Sequence, residues 1–164
     1  MLVKNLGETR MKLLESIKNL TDEQLNQKPS MDMWSISQLL YHLYFAEKET
    51  AEIILNSLKT ESKKVEEMDL SFLTDRSKKA KADVEPPEKF YKKQEITQLL
   101  EESRFQYIQA IFNETHEEKL VDKSIEHPTF GVISLKNLLD TIWLHEERHL
   151  QQINEIKYQL KMSK

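Results

Sequence analysis

The segment Trp34-Ser-Ile-Ser-Gln-Leu-Leu-Tyr-His42, read together with His145-Glu-Glu-Arg-His149, decides the fold. Ser35 and Gln38 have the spacing of a capping box, so a helix starts there. Ile36, Leu39, Leu40, Leu43, Ala46, Ile53 and Ile54 then recur at helical spacing, which carries the helix to about Lys59. His42 falls among these apolar residues, not on the charged face. The second segment repeats the situation. Ser134 caps a helix whose stripe runs Leu135, Leu138, Leu139, Ile142, His145, His149, Ile153, Ile156, Leu160. Two long helices thus each carry histidine on the side that faces a core.

Working outward, Leu6, Leu13, Leu14, Ile17 and Leu20 define a first helix over Leu2 to Leu20. Thr21-Asp-Glu-Gln24 is a second capping box and opens a short helical turn. Gln27 to Met33 is a connection broken by Pro29. Residues 60–93 are rich in Lys, Glu, Ser and Asp, contain Pro86-Pro87 and hold few apolar residues. A connection of this length suits two helices that run in the same direction, which need a long crossover. It is read either as a cover over one end of the bundle or as a floppy loop. Gln94 to about Glu114 is the third long helix, followed by a capping-box pattern at Thr115-x-x-Glu118 and a turn-forming loop at His127-Pro-Thr-Phe-Gly131. Lys28-Pro29 and His127-Pro128 precede Ser35 and Ser134 at one offset, Leu39-Leu40 match Leu138-Leu139, and Glu47 matches Glu146. The expectation is a single all-α domain over residues 1–164: a four-helix bundle running up, down, down, up, with no strand.

Composition agrees and excludes several functions. The 164 residues include only two glycines and four prolines, too few for a turn-rich β architecture. The net charge of −4 argues against a nucleic-acid partner held by phosphate contacts, and the Lys-rich run at 78–81 is read as a solvated loop. There is no cysteine, so any thiol used comes from outside. Residues 1–20 lack the apolar core of a signal peptide, and no stretch has the length of a membrane span. A cytoplasmic protein with no membrane partner is expected.

His145 and His149 lie one turn apart on one helix face, a spacing that lets two imidazoles bind one metal ion. They interrupt an apolar stripe, where unpartnered imidazoles would be costly, so hydrogen bonds or a metal should satisfy them. His42 is the only other histidine on an apolar helix face. His145-Glu146-x-x-His149 also matches the zincin pattern, but no third histidine follows, and the next acid, Glu155, sits off the histidine face. Only half of a di-iron carboxylate set is present as well. Glu146 is a candidate catalytic base or a partner orienting a histidine, and a surface acid is the plainer alternative. Gln152 is read as a core hydrogen-bonding group, Trp34 as a hydrophobic anchor, and His116 as exposed. His127 and Phe130 are read as either structural or substrate-contacting.

Trp-Ser-Ile-x-x-Leu-Leu-x-His-Leu at 34–43, His127-Pro-x-Phe-Gly, and His145-x-x-x-His149-x-x-Gln152-Ile153 together resemble the DinB/YfiT-like superfamily across nearly the whole chain. The resemblance implies a four-helix bundle with a divalent metal, zinc or nickel, on His42, His145 and His149. It also implies a low-molecular-weight thiol as cosubstrate, as in the bacillithiol S-transferases, mycothiol-dependent transferases and maleylpyruvate isomerase of that superfamily, and a homodimer. Three readings stay open: a thiol S-transferase acting on a small-molecule electrophile, a metal-dependent hydrolase, and a metal-binding or interaction protein without turnover.

Overall fold

The computed structural model describes residues 1–78, 82 and 84–162. Helix α1 spans Leu2–Ile17, the short α2 Asp22–Asn26, and α3 Ile36–Ser57. Both α2 and α3 begin with complete capping boxes, Thr21 with Gln24 and Ser35 with Gln38. The final long helix, called α7 below, spans Leu135–Gln159 and is capped by Ser134 Oγ accepting from the Asn137 amide at 3.0 Å.

The third long helix is not the uninterrupted element expected over 94–114. It consists of α4, Lys93–Glu102, a π-helical segment, Ser103–Ile108, and α5, Gln109–Glu114. Ser103 Oγ bonds back to the Leu100 carbonyl at the start of the wide turn. The extra residue per turn changes which side chains face inward. Arg104, in this segment, reaches the carbonyl of Leu6 on α1 at 2.7 Å.

Core composition gives the direction of each helix. One cluster joins Leu13 and Ile17 of α1, Leu39, Leu40 and Leu43 of α3, Ile96 and Leu100 of α4, and Ile153 and Ile156 of α7. A second joins Leu2 and Leu6, Ala51 and Ile54, Ile108 and Ile111, and Leu135 to Ile142. The start of α3 therefore lies beside the end of α7, and α1 runs with α7 while α4–α5 runs with α3. This is the up, down, down, up bundle.

Two local expectations are corrected. Thr115 does not cap the next helix: α6, Glu117–Val121, begins after His116 with no side-chain cap. A small hairpin is also present, with β1, Ser124–His127, paired antiparallel to β2, Gly131–Ser134, in the register Ser124↔Ser134 to His127↔Gly131. The turn expected at 127–131 is its loop, and Gly131 takes a φ of +71°, which a glycine adopts without strain. Ile133 of β2 packs with Leu70 and Leu144, so the hairpin presses the crossover onto α7.

The crossover is docked, not floppy, over its described length. A 3₁₀ turn, Ser71–Thr74, is its only helical part among the described residues. The Met68 amide donates to Asn137 Oδ1 at 2.8 Å, and Ser134 Oγ donates to Glu67 at 2.8 Å. Arg148 donates to the carbonyls of Leu73, Asp75 and Lys78. Farther on, Trp34 Nε1 donates to Glu85, Lys28 pairs with Glu88, and Asn26 bonds both the amide and the carbonyl of Tyr91. Of the Lys-rich run at 78–81, only Lys78 belongs to the described residues. No helix among the described residues is long and apolar enough to cross a membrane.

Candidate metal centre

The antiparallel packing of α3 and α7 brings His42 opposite His145 and His149. Nε2 of His145 lies 3.0 Å from Nε2 of His42 and 3.0 Å from Nε2 of His149. The three rings meet edge to face, at 75–84° to one another, with centroids 4.5–5.0 Å apart. His149 is buried and the other two are half-buried. They form a group able to hold a metal ion.

The donor set fits a cation. A neutral imidazole nitrogen presents one in-plane site, either a proton or a lone pair. Nε2 of His145 faces two neighbours, so at most one of its two contacts is a good hydrogen bond, whichever tautomers are chosen. A cation between the rings would use all three lone pairs at once. The second nitrogen of His149 is already fixed, with Nδ1 2.8 Å from Gln152 Oε1. That contact selects the tautomer that leaves Nε2 free to ligate.

The electrostatics keep the rings neutral. Burial pushes the pKa of His149 down to about 3, and the imidazole of His42 adds to the effect. His145 retains some accessible surface, yet desolvation, followed by His149, His42 and Arg148, holds it well below the ordinary value. Burial also lowers His42, with the Glu85 carboxylate acting in the opposite sense. Unprotonated imidazoles are the form a metal requires.

Glu146, the candidate base or histidine-orienting partner, is buried and so is not the surface acid of the plainer reading. One residue along α7 points about 100° around the axis, and the side chain enters a different buried cluster. Its Oε2 accepts from Arg10 Nε at 2.7 Å, and its Oε1 accepts from Arg104 at 2.8 Å and Thr9 at 3.2 Å. Glu47 closes the set, accepting from Arg10 Nη2 at 2.7 Å and Arg104 Nε at 2.8 Å. Both carboxylates are thus committed to guanidinium groups, and each of the four long helices of the bundle contributes one charged member.

The remaining residues separate cleanly. The Trp34 ring lies 5.3 Å from that of His42, beside the site and not merely anchoring the helix. The His127 and Phe130 rings sit tilted against each other at the hairpin turn, with centroids 5.0 Å apart. His116 is exposed and pairs with Glu118 at 2.8 Å. Glu155 pairs with Arg76 at the surface, so it offers no third zincin ligand. Three residues singled out by the structure have no counterpart in the sequence reading: Arg10, Arg104 and Glu85. The first two were detectable as charges inside apolar stripes, between Leu6 and Leu13 and between Leu100 and Ile108. Glu85, in the crossover, carried no such signal.

Fold and site together define a histidine-bearing four-helix bundle, and the chain belongs to the DinB superfamily, whose family model matches residues 5–153. It is 33% identical over 154 residues to the uncharacterized protein YuaE of Bacillus subtilis (strain 168), covering 92% of this chain and 94% of YuaE. Among solved structures it is similar to YfiT from Bacillus subtilis, a probable metal-dependent hydrolase with an unusual four-helix bundle topology. That match has a TM-score of 0.69 and 20% identity, covering 99% of this chain and 87% of YfiT. It is also similar to TT2238, a four-helix bundle protein, with a TM-score of 0.64 and 17% identity over 94% of this chain and 96% of that one.

Proposed function

We propose that the protein is an enzyme that uses one divalent metal ion, zinc or nickel, held by His42, His145 and His149. The observation that carries this is the convergence of three Nε2 atoms whose mutual contacts cannot all be hydrogen bonds. Held by these three neutral imidazoles, such an ion would supply Lewis acidity and would make a thiol or water beside it more acidic. The chain's own part is to keep three imidazoles unprotonated, to fix His149 through Gln152, and to shield the centre with Trp34 and the crossover.

The reaction that fits best is S-transfer from a small thiol of the bacillithiol type to a small-molecule electrophile. A carbon–sulfur bond forms, the carbon–leaving group bond breaks, and the thiol proton departs with the leaving group. The absence of cysteine leaves the thiol to be supplied by a cosubstrate. Glu146 is assigned to packing, not proton transfer. The same reading takes a cytoplasmic homodimer with no nucleic-acid or membrane partner. Hydrolysis is the second reading, supported by the description of YfiT as a probable metal-dependent hydrolase.

The test has two stages. Elemental analysis of untagged protein should find about one equivalent of metal, lost in His149→Ala, as removal of one of three ligands requires. The loaded protein is then incubated with bacillithiol, glutathione or coenzyme A and a reactive electrophile, and conjugates are sought by mass spectrometry. Conjugation supports S-transfer. Ester or amide cleavage without conjugation selects hydrolysis. Full metal retention by the alanine variant rejects the three-histidine site.

A further inference from the structure

The described part of the crossover does more than cover the bundle: it delivers a carboxylate beside the histidine centre. Trp34 Nε1 donates to Glu85 Oε2 at 2.9 Å, and the Trp34 ring lies 5.3 Å from His42. The placement is built, not incidental. Glu85 precedes Pro86, which restricts its backbone to extended conformations, and Pro86 itself is buried. Three residues later Glu88 pairs with Lys28 at 2.7 Å, and Tyr91 is tied to Asn26 through both backbone groups. Glu85 itself is exposed and pairs with no cation among the described residues. The arginines near the α7 histidines are already engaged, Arg148 with crossover carbonyls and Arg76 with Glu155. The end of the site at His42 therefore presents, among the described residues, a carboxylate with no cation partner next to an aromatic ring.

We propose that Glu85 and Trp34 select a cationic group on the substrate, a protonated amine or quaternary ammonium carried on the arm that extends outward from the histidine centre. A carboxylate beside an indole is the pairing that recognises such groups, through charge and through attraction to the ring. This inference rests on the metal-enzyme reading above and adds a substrate class to it.

The test uses the full chain loaded with cobalt(II) and three thiols of one length that differ in terminal charge. These are thiocholine, 2-mercaptoethanol and 2-mercaptoethanesulfonate. Thiolate-to-cobalt absorption in the near ultraviolet reports binding of each without requiring turnover. Thiocholine should bind about tenfold more tightly than 2-mercaptoethanol, the scale of a cation beside a ring and a partly solvated carboxylate. The sulfonate should bind most weakly. Glu85→Gln should flatten the series to within about twofold, as loss of one partly screened charge implies. Trp34→Phe, which keeps a ring but removes the N–H that holds Glu85, should fall between the two. Equal affinities in the native protein, a preference for the sulfonate, or an unchanged preference in Glu85→Gln overturns the proposal. Cobalt-loaded protein that binds none of the three thiols also overturns it while leaving the metal site standing. Protein that takes up no cobalt overturns the metal-enzyme reading itself.

Discussion

Arg10 on α1 donates through Nε to Oε2 of Glu146 on α7 at 2.7 Å, one residue along the chain from His145. The same guanidinium reaches Glu47 on α3, and Arg104 joins both acids from the π-helical segment. Two positive and two negative groups compensate each other inside the bundle. Removing one acid leaves a buried guanidinium short of a partner, which costs about 3–5 kcal/mol. Glu146→Ala should therefore lose stability of that order in urea denaturation. The fraction that stays folded should still take up about one equivalent of metal, since the three ligands are intact. Near-native stability in this variant would show that the network is not a structural lock.

How much of this was legible in the sequence follows from what each feature depends on. The bundle and the histidine cluster depend on periodicity and caps, which are local. Ser35, Gln38 and Ser134 cap as their spacing requires, and the stripes place His42, His145 and His149 on inward faces. The hairpin was missed because strands of four residues give too short an alternation to separate from loop. The π-helical segment was missed because Leu100, Ile108 and Ile111 fit an ordinary helical stripe, and the extra residue shows only in the structure, where Arg104 reaches Glu47, Glu146 and the Leu6 carbonyl. The ion-pair network around Glu146 was not legible for a related reason. Its neighbours in sequence are the candidate ligands His145 and His149, whereas its neighbours in space, Arg10 and Arg104, lie 136 and 42 residues away.

The depressed histidines make stability of the metal-free protein depend on acid. His149 titrates at about 3 when folded against an ordinary value of 6.5, and His42 and His145 are shifted in the same direction. Between those two values the unfolded chain binds a proton that the folded chain refuses. Stability is thus complete above pH 6.5 and falls as the pH drops toward 3, by at most about 1.4 kcal/mol per pH unit for each histidine. Urea midpoints of metal-free protein at pH 7, 6 and 5 should decline steadily, and less steeply in His149→Gln. A midpoint that stays flat over this range would contradict the burial of the rings.

Gln152 holds His149 by one contact of 2.8 Å, one helical turn beyond it. Loss of that contact frees the tautomer and orientation of a ligand without touching the ligand set. Gln152→Ala should weaken metal affinity by about 10- to 100-fold, the range seen when the partner of a ligating histidine is removed. Competition against a chromophoric chelator measures this directly, while thermal unfolding should change little because Gln152 is only half-buried. Unchanged affinity would mean that packing alone orients His149.

Arg148 sits between the two α7 histidines and fastens the crossover, with Nη1 donating to the Asp75 carbonyl at 2.7 Å and to the Leu73 carbonyl at 3.3 Å. Nη2 adds the carbonyl of Lys78. Arg76 and Lys78 are trypsin sites in the same stretch, and cleavage there requires the segment to lift from α7. Hydrogen bonds from a charged group contribute about 1.5–3 kcal/mol each, so Arg148→Met should raise the open population, and with it the cutting rate, by about tenfold or more. The first cuts, located by mass spectrometry, should fall after residues 76 and 78. The surface pair of Arg76 with Glu155 is too exposed to compensate, since such pairs contribute about 1 kcal/mol or less. If cutting at these positions is no faster in the variant, the hairpin and the apolar contacts of Leu70 and Leu73, not Arg148, hold the crossover against the helix that carries His145 and His149.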